Sequence, residues 1–141
     1  MILFPYEDCV TSLKKEEGYR QHMYQCSEHV WTIGIGRVIE PRGLGISETE
    51  AEYLLKNDID RSIKECQKSF SFFNDLTPNR QRAIVELCFQ LGLTTLLKFK
   101  RMIAALESEA FDQAAIELLD SRFAKQTPAR AKRMAQLIEA G

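Results

Sequence analysis

One stretch constrains the fold more than any other. Ser47 and Glu50 stand three residues apart, directly before an apolar period. That is the signature of a capping box, in which each side chain satisfies the other's backbone N–H at a helix start. Ala51, Leu54, Leu55, Ile59, Ser62, Ile63 and Cys66 then recur at helical spacing. They form one stripe of about five turns. The rest of the chain is read around it. Before it, residues 5–17 read as a helix closed by Gly18. Between Tyr24 and Ile39 the texture turns to strand: Val30, Trp31, Thr32, Ile33 and Ile35, broken by Gly34 and Gly36. Trp31 is expected in the core there. Pro41, Gly43 and Gly45 mark turns. After the stripe, Thr77-Pro78 opens a helix carrying Ile84, Leu87, Cys88 and Leu91, ended by Gly92. Helices follow at about 95–107 and 110–123, and Thr127-Pro128 repeats the cap for a last one to about Ile138. The expected class is α+β, mostly helical, with one small antiparallel sheet.

The chain of 141 residues fits one domain. No apolar run approaches the roughly 18 residues a membrane span requires. The apolar start Met1–Phe4 is too short for a membrane anchor, and Glu7 and Asp8 follow without a basic segment, so no secretory signal is read. Charge is uneven: residues 1–70 hold 9 Lys/Arg against 12 Asp/Glu, and residues 71–141 hold 10 against 8. The late basic excess lies in Arg122, Lys125, Arg130, Lys132 and Arg133. It reads first as a solvated helix face. No aromatic ladder accompanies it, so nucleic acid is not an expected partner. Cys9, Cys26, Cys66 and Cys88 lack paired spacing, and with His22 and His29 they make no standard metal motif. Cys66 and Cys88 fall on core positions and read as buried thiols. A reduced cytoplasmic protein without metal or cofactor is the simplest fit.

The chemistry concentrates in Glu17–Gly36, EGYRQHMYQCSEHVWTIGIG. A carboxylate ends a helix, Cys26 follows, and Thr32 sits in a Gly-broken strand. Glycosidic hydrolysis needs a protonated acid at the leaving oxygen and a group that holds or activates water on the sugar's opposite face. Glu17 suits the first role; Cys26 and Thr32 suit the second. The spacing is Glu, eight residues, Cys, five residues, Thr, then Ile33-Gly34-Ile35-Gly36. In this it resembles the catalytic stretch of the phage-type lysozymes of glycoside hydrolase family 24, to which the T-even phage lysozymes belong. The resemblance continues through Ile46–Asp60, Arg82–Gly92 and Ser121–Arg133, in order and over nearly the whole chain.

The resemblance implies a lysozyme-like fold of two lobes. A small sheet-containing lobe would span about 18–46, a connecting helix about 47–69, and a helical lobe about 70–141 plus the N-terminal helix. It implies Glu17 as the general acid, with Arg130 beside that carboxylate. An acid must keep its proton near neutral pH; burial favours this and a neighbouring guanidinium opposes it. Thr32 would bind the attacking water. Glu16 and Arg133 match a pair joining the first helix to the last. Phe89 and Gln90 match cleft-lining positions, and Val38, Met102 and Glu117 align with sugar-binding ones. Two departures stand out. Cys26 replaces the Asp that many members carry, which removes the second carboxylate. As water holder it would serve an inverting mechanism; as nucleophile, a covalent one. Arg37 replaces a His whose family partner corresponds to Asp58. Because Arg stays charged, an Arg37–Asp58 pair would lose less stability across pH 6–8 than a His–Asp pair. The short stretch between Gly36 and Ile46 implies a trimmed sheet lobe.

The resemblance therefore implies an endolysin that cleaves the β-1,4 bond between N-acetylmuramic acid and N-acetylglucosamine in bacterial peptidoglycan. It would wait in the host cytoplasm for release through a holin-like pore, and act as a monomer by default. The alternative is a module of the same fold that binds wall without turnover.

Overall fold

The computed structural model describes residues 4–141. Of the apolar start, Met1 to Leu3 lie outside the described residues. The chain separates into two compact units, one ending at Ala51 and the other spanning Glu52–Gly141.

The first unit opens with helix α1, Tyr6–Glu17, with Glu7 and Asp8 in its first turn and Lys14 and Lys15 in its last. That placement suits the helix dipole at both ends. Gly18 follows at φ 71°, and its N–H donates to the Lys14 carbonyl. Three antiparallel strands come next in the order β1-β2-β3: β1 Arg20–Gln25, β2 Trp31–Gly34 and β3 Arg37–Val38. Thr32 lies between Tyr24 and Val38 in the register. The β1–β2 turn closes through His29 N–H to the Cys26 carbonyl, 2.8 Å, and Cys26 N–H to the Val30 carbonyl, 3.0 Å. His29 takes the left-handed conformation, φ 62°, that such a turn demands. Trp31 departs from the core expectation. It stays 41% exposed, because the register sets it beside Gln25, one position out of step with buried Thr32.

The capping box forms as its residues specify. Glu50 N–H donates to Ser47 Oγ at 3.1 Å, and Ser47 N–H donates to Glu50 Oε1 at 3.0 Å. Helix α2, Glu48–Ser69, follows and crosses the boundary between the units. Ser62 and Cys66 of its stripe are buried, whereas Leu54, Leu55 and Ile59 stay exposed.

In the second unit a short 3-10 turn at Phe73–Asp75 leads to α3, Pro78–Leu91. Thr77 caps it, accepting from Arg80 N–H. Gly92 ends it at φ 81°. Then come α4 Leu93–Leu96, α5 Lys100–Glu107, α6 Phe111–Leu119, α7 Arg122–Gln126 and α8 Pro128–Ala140. Helix α8 packs against α3, α6 and α7. Ile84, Leu87, Leu96, Met102, Leu106, Leu118 and Ile138 form the centre of the core, each under 2% exposed. Thr127 does not cap α8 as its sequence suggested. Its hydroxyl donates back to the Phe123 carbonyl, 3.0 Å, and so finishes α7.

Candidate active site

Glu17 is the last residue of α1, and its side chain reaches the turn between β2 and β3. There Gly36 stands at φ 70°, and a Cβ on it would lie 2.9 Å from Glu17 Oε2 and 3.0 Å from Cδ. The carboxylate thus rests against bare backbone. Thr32 is 4% exposed, and its hydroxyl donates to the Val30 carbonyl at 3.0 Å. The same carbonyl accepts the N–H of half-buried Cys26. One backbone oxygen therefore ties the Cys26 backbone to the Thr32 side chain. Because the Thr32 proton is committed to Val30, its oxygen can only accept from a further molecule. Val38, partly buried, faces Thr32 across the β2–β3 ladder. Glu17, Cys26, Thr32 and Val38 all belong to this one unit.

Arg37 takes a different partner from the one expected. Its Nη2 lies 3.1 Å from Glu50 Oε2, and its Nη1 donates to the Gly45 carbonyl at 2.8 Å. Asp58 pairs with Arg61 of its own helix, 3.1 Å. The Arg37 fork thus braces the capping box in the first turn of α2. The Glu50 carboxyl is held below its ordinary pKa, first by the Ser47 backbone N–H, then by the Ser47 side chain and by Arg37. It accepts hydrogen bonds in its charged form, which favours that form.

The remaining site residues belong to the second unit. Phe89, Gln90 and Arg130 line a single hollow of about 590 Å³, walled on one side by Leu55, Ile59 and Ile63. Met102 and Glu117 line another, of about 580 Å³, with Lys98, Arg101 and Arg122 around it. Met102 is a core residue, 1% exposed, so it offers a ligand little surface. Glu16 is on α1 and Arg133 on α8, each exposed. The five late basic residues are exposed too, as a solvated face requires. No group of three or more His, Cys, Asp or Glu that could hold a metal occurs among the described residues. None of the described helices is long and apolar enough to cross a membrane.

Cys66 and Cys88 are buried, 0% and 2% exposed, as their positions suggested. Burial pushes both thiols up from the usual range, and for Cys66 the neighbouring Cys88 adds to it. Three contributors escaped the sequence reading: the Val30 carbonyl, Glu50 as the partner of Arg37, and Gly36 as the surface under Glu17. Only the last left a trace, a glycine at a fixed place in the motif.

Comparison with known proteins places the chain in a family. The chain matches the model of the phage lysozyme family over residues 14–139, and it belongs to that family. Probable T4-type lysozyme 2 of Dictyostelium discoideum is 30% identical over 92% of each chain. The endolysin of Acyrthosiphon pisum secondary endosymbiont phage 1 is 34% identical over 61% of this chain and 62% of its own. The pre-baseplate central spike protein Gp5 of Enterobacteria phage T4 is 26% identical over 92% of this chain, which corresponds to 27% of that protein. Membership supports a glycosidase on an α+β lysozyme-like fold.

Proposed function

We propose that this chain hydrolyses the β-1,4 bond between N-acetylmuramic acid and N-acetylglucosamine in bacterial peptidoglycan. The observation that carries the reading is the placement of Glu17, Cys26 and Thr32 on one small unit, inside the motif of a lysozyme family. Glu17 donates its proton to the glycosidic oxygen as the bond to the anomeric carbon breaks. A water attacks that carbon from the opposite face. It donates one hydrogen bond to Thr32 Oγ, which leaves an oxygen lone pair free for the carbon; as the new bond forms the water releases its other proton to solvent, from which Glu17 regains one. Cys26 helps to hold this water, and the product inverts at the anomeric carbon. Val38 touches the sugar beside Thr32; of the other positions assigned to sugar binding, Phe89, Gln90 and Glu117 keep that role, and Met102, 1% exposed, acts from the core. The endolysin among its relatives suggests the same use, lysis of a host wall.

The test is loss of turbidity of purified peptidoglycan with wild type, Glu17→Gln and Cys26→Ser side by side. Gln keeps the shape of Glu without the acid proton, so activity should fall by about 10²-fold or more. Cys26→Ser should keep part of it. A glycosyl adduct on Cys26, seen by mass spectrometry of the intact protein, would replace the water mechanism with a covalent one. The second reading, a wall-binding module without turnover, draws on the spike protein among the relatives. Co-sedimentation with the wall while wild type releases no product would establish it.

A further inference from the structure

Gly34 and Gly36 frame the β2–β3 turn and share a left-handed backbone, φ 67° and 70°. They differ in what surrounds them. A Cβ at Gly34 would meet nothing within 4 Å, whereas one at Gly36 would meet Glu17 Oε2 at 2.9 Å, Cδ at 3.0 Å and Cγ at 3.1 Å. A contact of 2.9 Å is essentially never seen for a real Cβ and 3.0–3.1 Å is tighter than most, so the exposed end of the Glu17 side chain would have to shift away. Glu17 is the C-terminal residue of α1, next to Gly18, and its side chain is folded over the turn rather than extended away from it.

We propose that Gly36 is a positioning residue: the missing side chain is the seat that sets where the Glu17 carboxyl stands. This rests on the reading of Glu17 as the acid. An acid displaced by even about 1 Å from the leaving oxygen loses much of its effect, because proton transfer depends on hydrogen-bond reach. The backbone at Gly36 requires glycine or a residue tolerant of positive φ, and the Glu17 contact separately requires that no Cβ be present.

The two glycines allow the two demands to be separated. Gly34→Ala and Gly36→Ala carry the same left-handed penalty, so both should lower the melting temperature alike. Only Gly36→Ala pushes on Glu17. It should lose at least tenfold more kcat on peptidoglycan than Gly34→Ala, with KM within about threefold of wild type. The 13C signal of the Glu17 side-chain carboxyl should shift in Gly36→Ala and stay in place in Gly34→Ala. If Gly36→Ala does not fold, Gly36→Asn serves, because Asn tolerates the left-handed region and still brings a Cβ. Equal losses of kcat in the two alanine variants, or an unmoved Glu17 signal, would overturn the proposal. Full activity in Glu17→Gln would instead refute the assignment of the acid, and the carboxyl signal alone would then decide whether Gly36 seats Glu17.

Discussion

Replacing Arg80 should destabilise the helical unit by far more than a partly exposed arginine usually does. Arg80 sits in the first turn of α3 and reaches the far end of α8. Its Nε donates to the Ile138 carbonyl at 2.7 Å and its Nη2 to the Glu139 carbonyl at 3.2 Å. Its guanidinium carbon stands 3.5 Å from the centre of the Phe111 ring. The last carbonyls of a helix have no donor partner within it, and a cation there also meets the negative end of the dipole. Hydrogen bonds from a charged donor contribute about 1.5–3 kcal/mol each when buried. Here water can replace part of each, so about 1 kcal/mol apiece is appropriate. The ring contact adds about 0.5–1 kcal/mol. Arg80→Met keeps the apolar stem and removes the rest, so it should cost about 2–3 kcal/mol. Arg80→Lys should recover less than half, because one ammonium cannot reproduce the two-pronged fork. The assay is urea unfolding at pH 7, with Arg82→Met as control. Arg82 pairs with Glu86 one turn along its own helix, so its loss should cost about 0.3–0.5 kcal/mol. With a urea m-value of about 2 kcal/mol/M, the Arg80→Met midpoint should fall by about 1–1.5 M at unchanged m. A loss below about 0.5 kcal/mol, or full rescue by Lys, would refute the claim that this side chain ties α3 to the end of α8.

Three further outcomes are expected. Thr32→Val should cost no more than about 1 kcal/mol in thermal unfolding, because the Val30 carbonyl keeps the Cys26 N–H, yet should reduce turnover at least tenfold; equal turnover would remove the water from Thr32. In native protein at pH 8, Ellman's reagent should titrate Cys9 and Cys26 promptly, and Cys66 and Cys88 only after unfolding. The raised thiol values of the buried pair also stabilise the fold below the ordinary pKa of 9.0 and stop doing so above it, where the unfolded chain ionises first. Cys66→Ala should therefore flatten the fall in melting temperature above pH 9, and an unchanged slope would count against it. Arg37→Gln should shrink the stability that is present above pH 4.5 and lost as Glu50 takes up its proton below it, with no step between pH 6 and 8. A transition in melting temperature between pH 6 and 8 that vanishes in the variant would contradict this.

What the sequence made legible was local. The box of Ser47 and Glu50 could be read because both partners lie within one turn and the chemistry is reciprocal. Thr77-Pro78 was legible for the same reason. Thr127-Pro128 has the same letters and a different outcome. Helix α7 runs straight into it, so the Phe123 carbonyl at its end needs a donor, and both the Thr127 N–H and its hydroxyl turn back to supply one. A cap signature states what a side chain can do, and the neighbouring helix decides what it does. Arg80 was illegible because its partners are 58 and 59 residues away, with nothing in the local pattern to mark them.

The site divides in the same way. Glu17, Cys26 and Thr32 sit on consecutive elements of one unit, so their spacing along the chain translates almost directly into spacing across a hairpin. Arg37 shows where that translation fails. The family pattern supplied Asp58 as its partner, a carboxylate well along α2. The fold offers Glu50, nearer the start of the same helix and already held by Ser47 in its charged form. A guanidinium leaving β3 next to the Gly45 carbonyl meets that carboxylate first, and Arg61 takes Asp58. Arg37 thereby braces β3 to the start of α2. Gly36 makes the complementary point. Its role is an absence, and an absence in a sequence acquires meaning only once the fold shows which atom, here Glu17 Oε2, occupies the space.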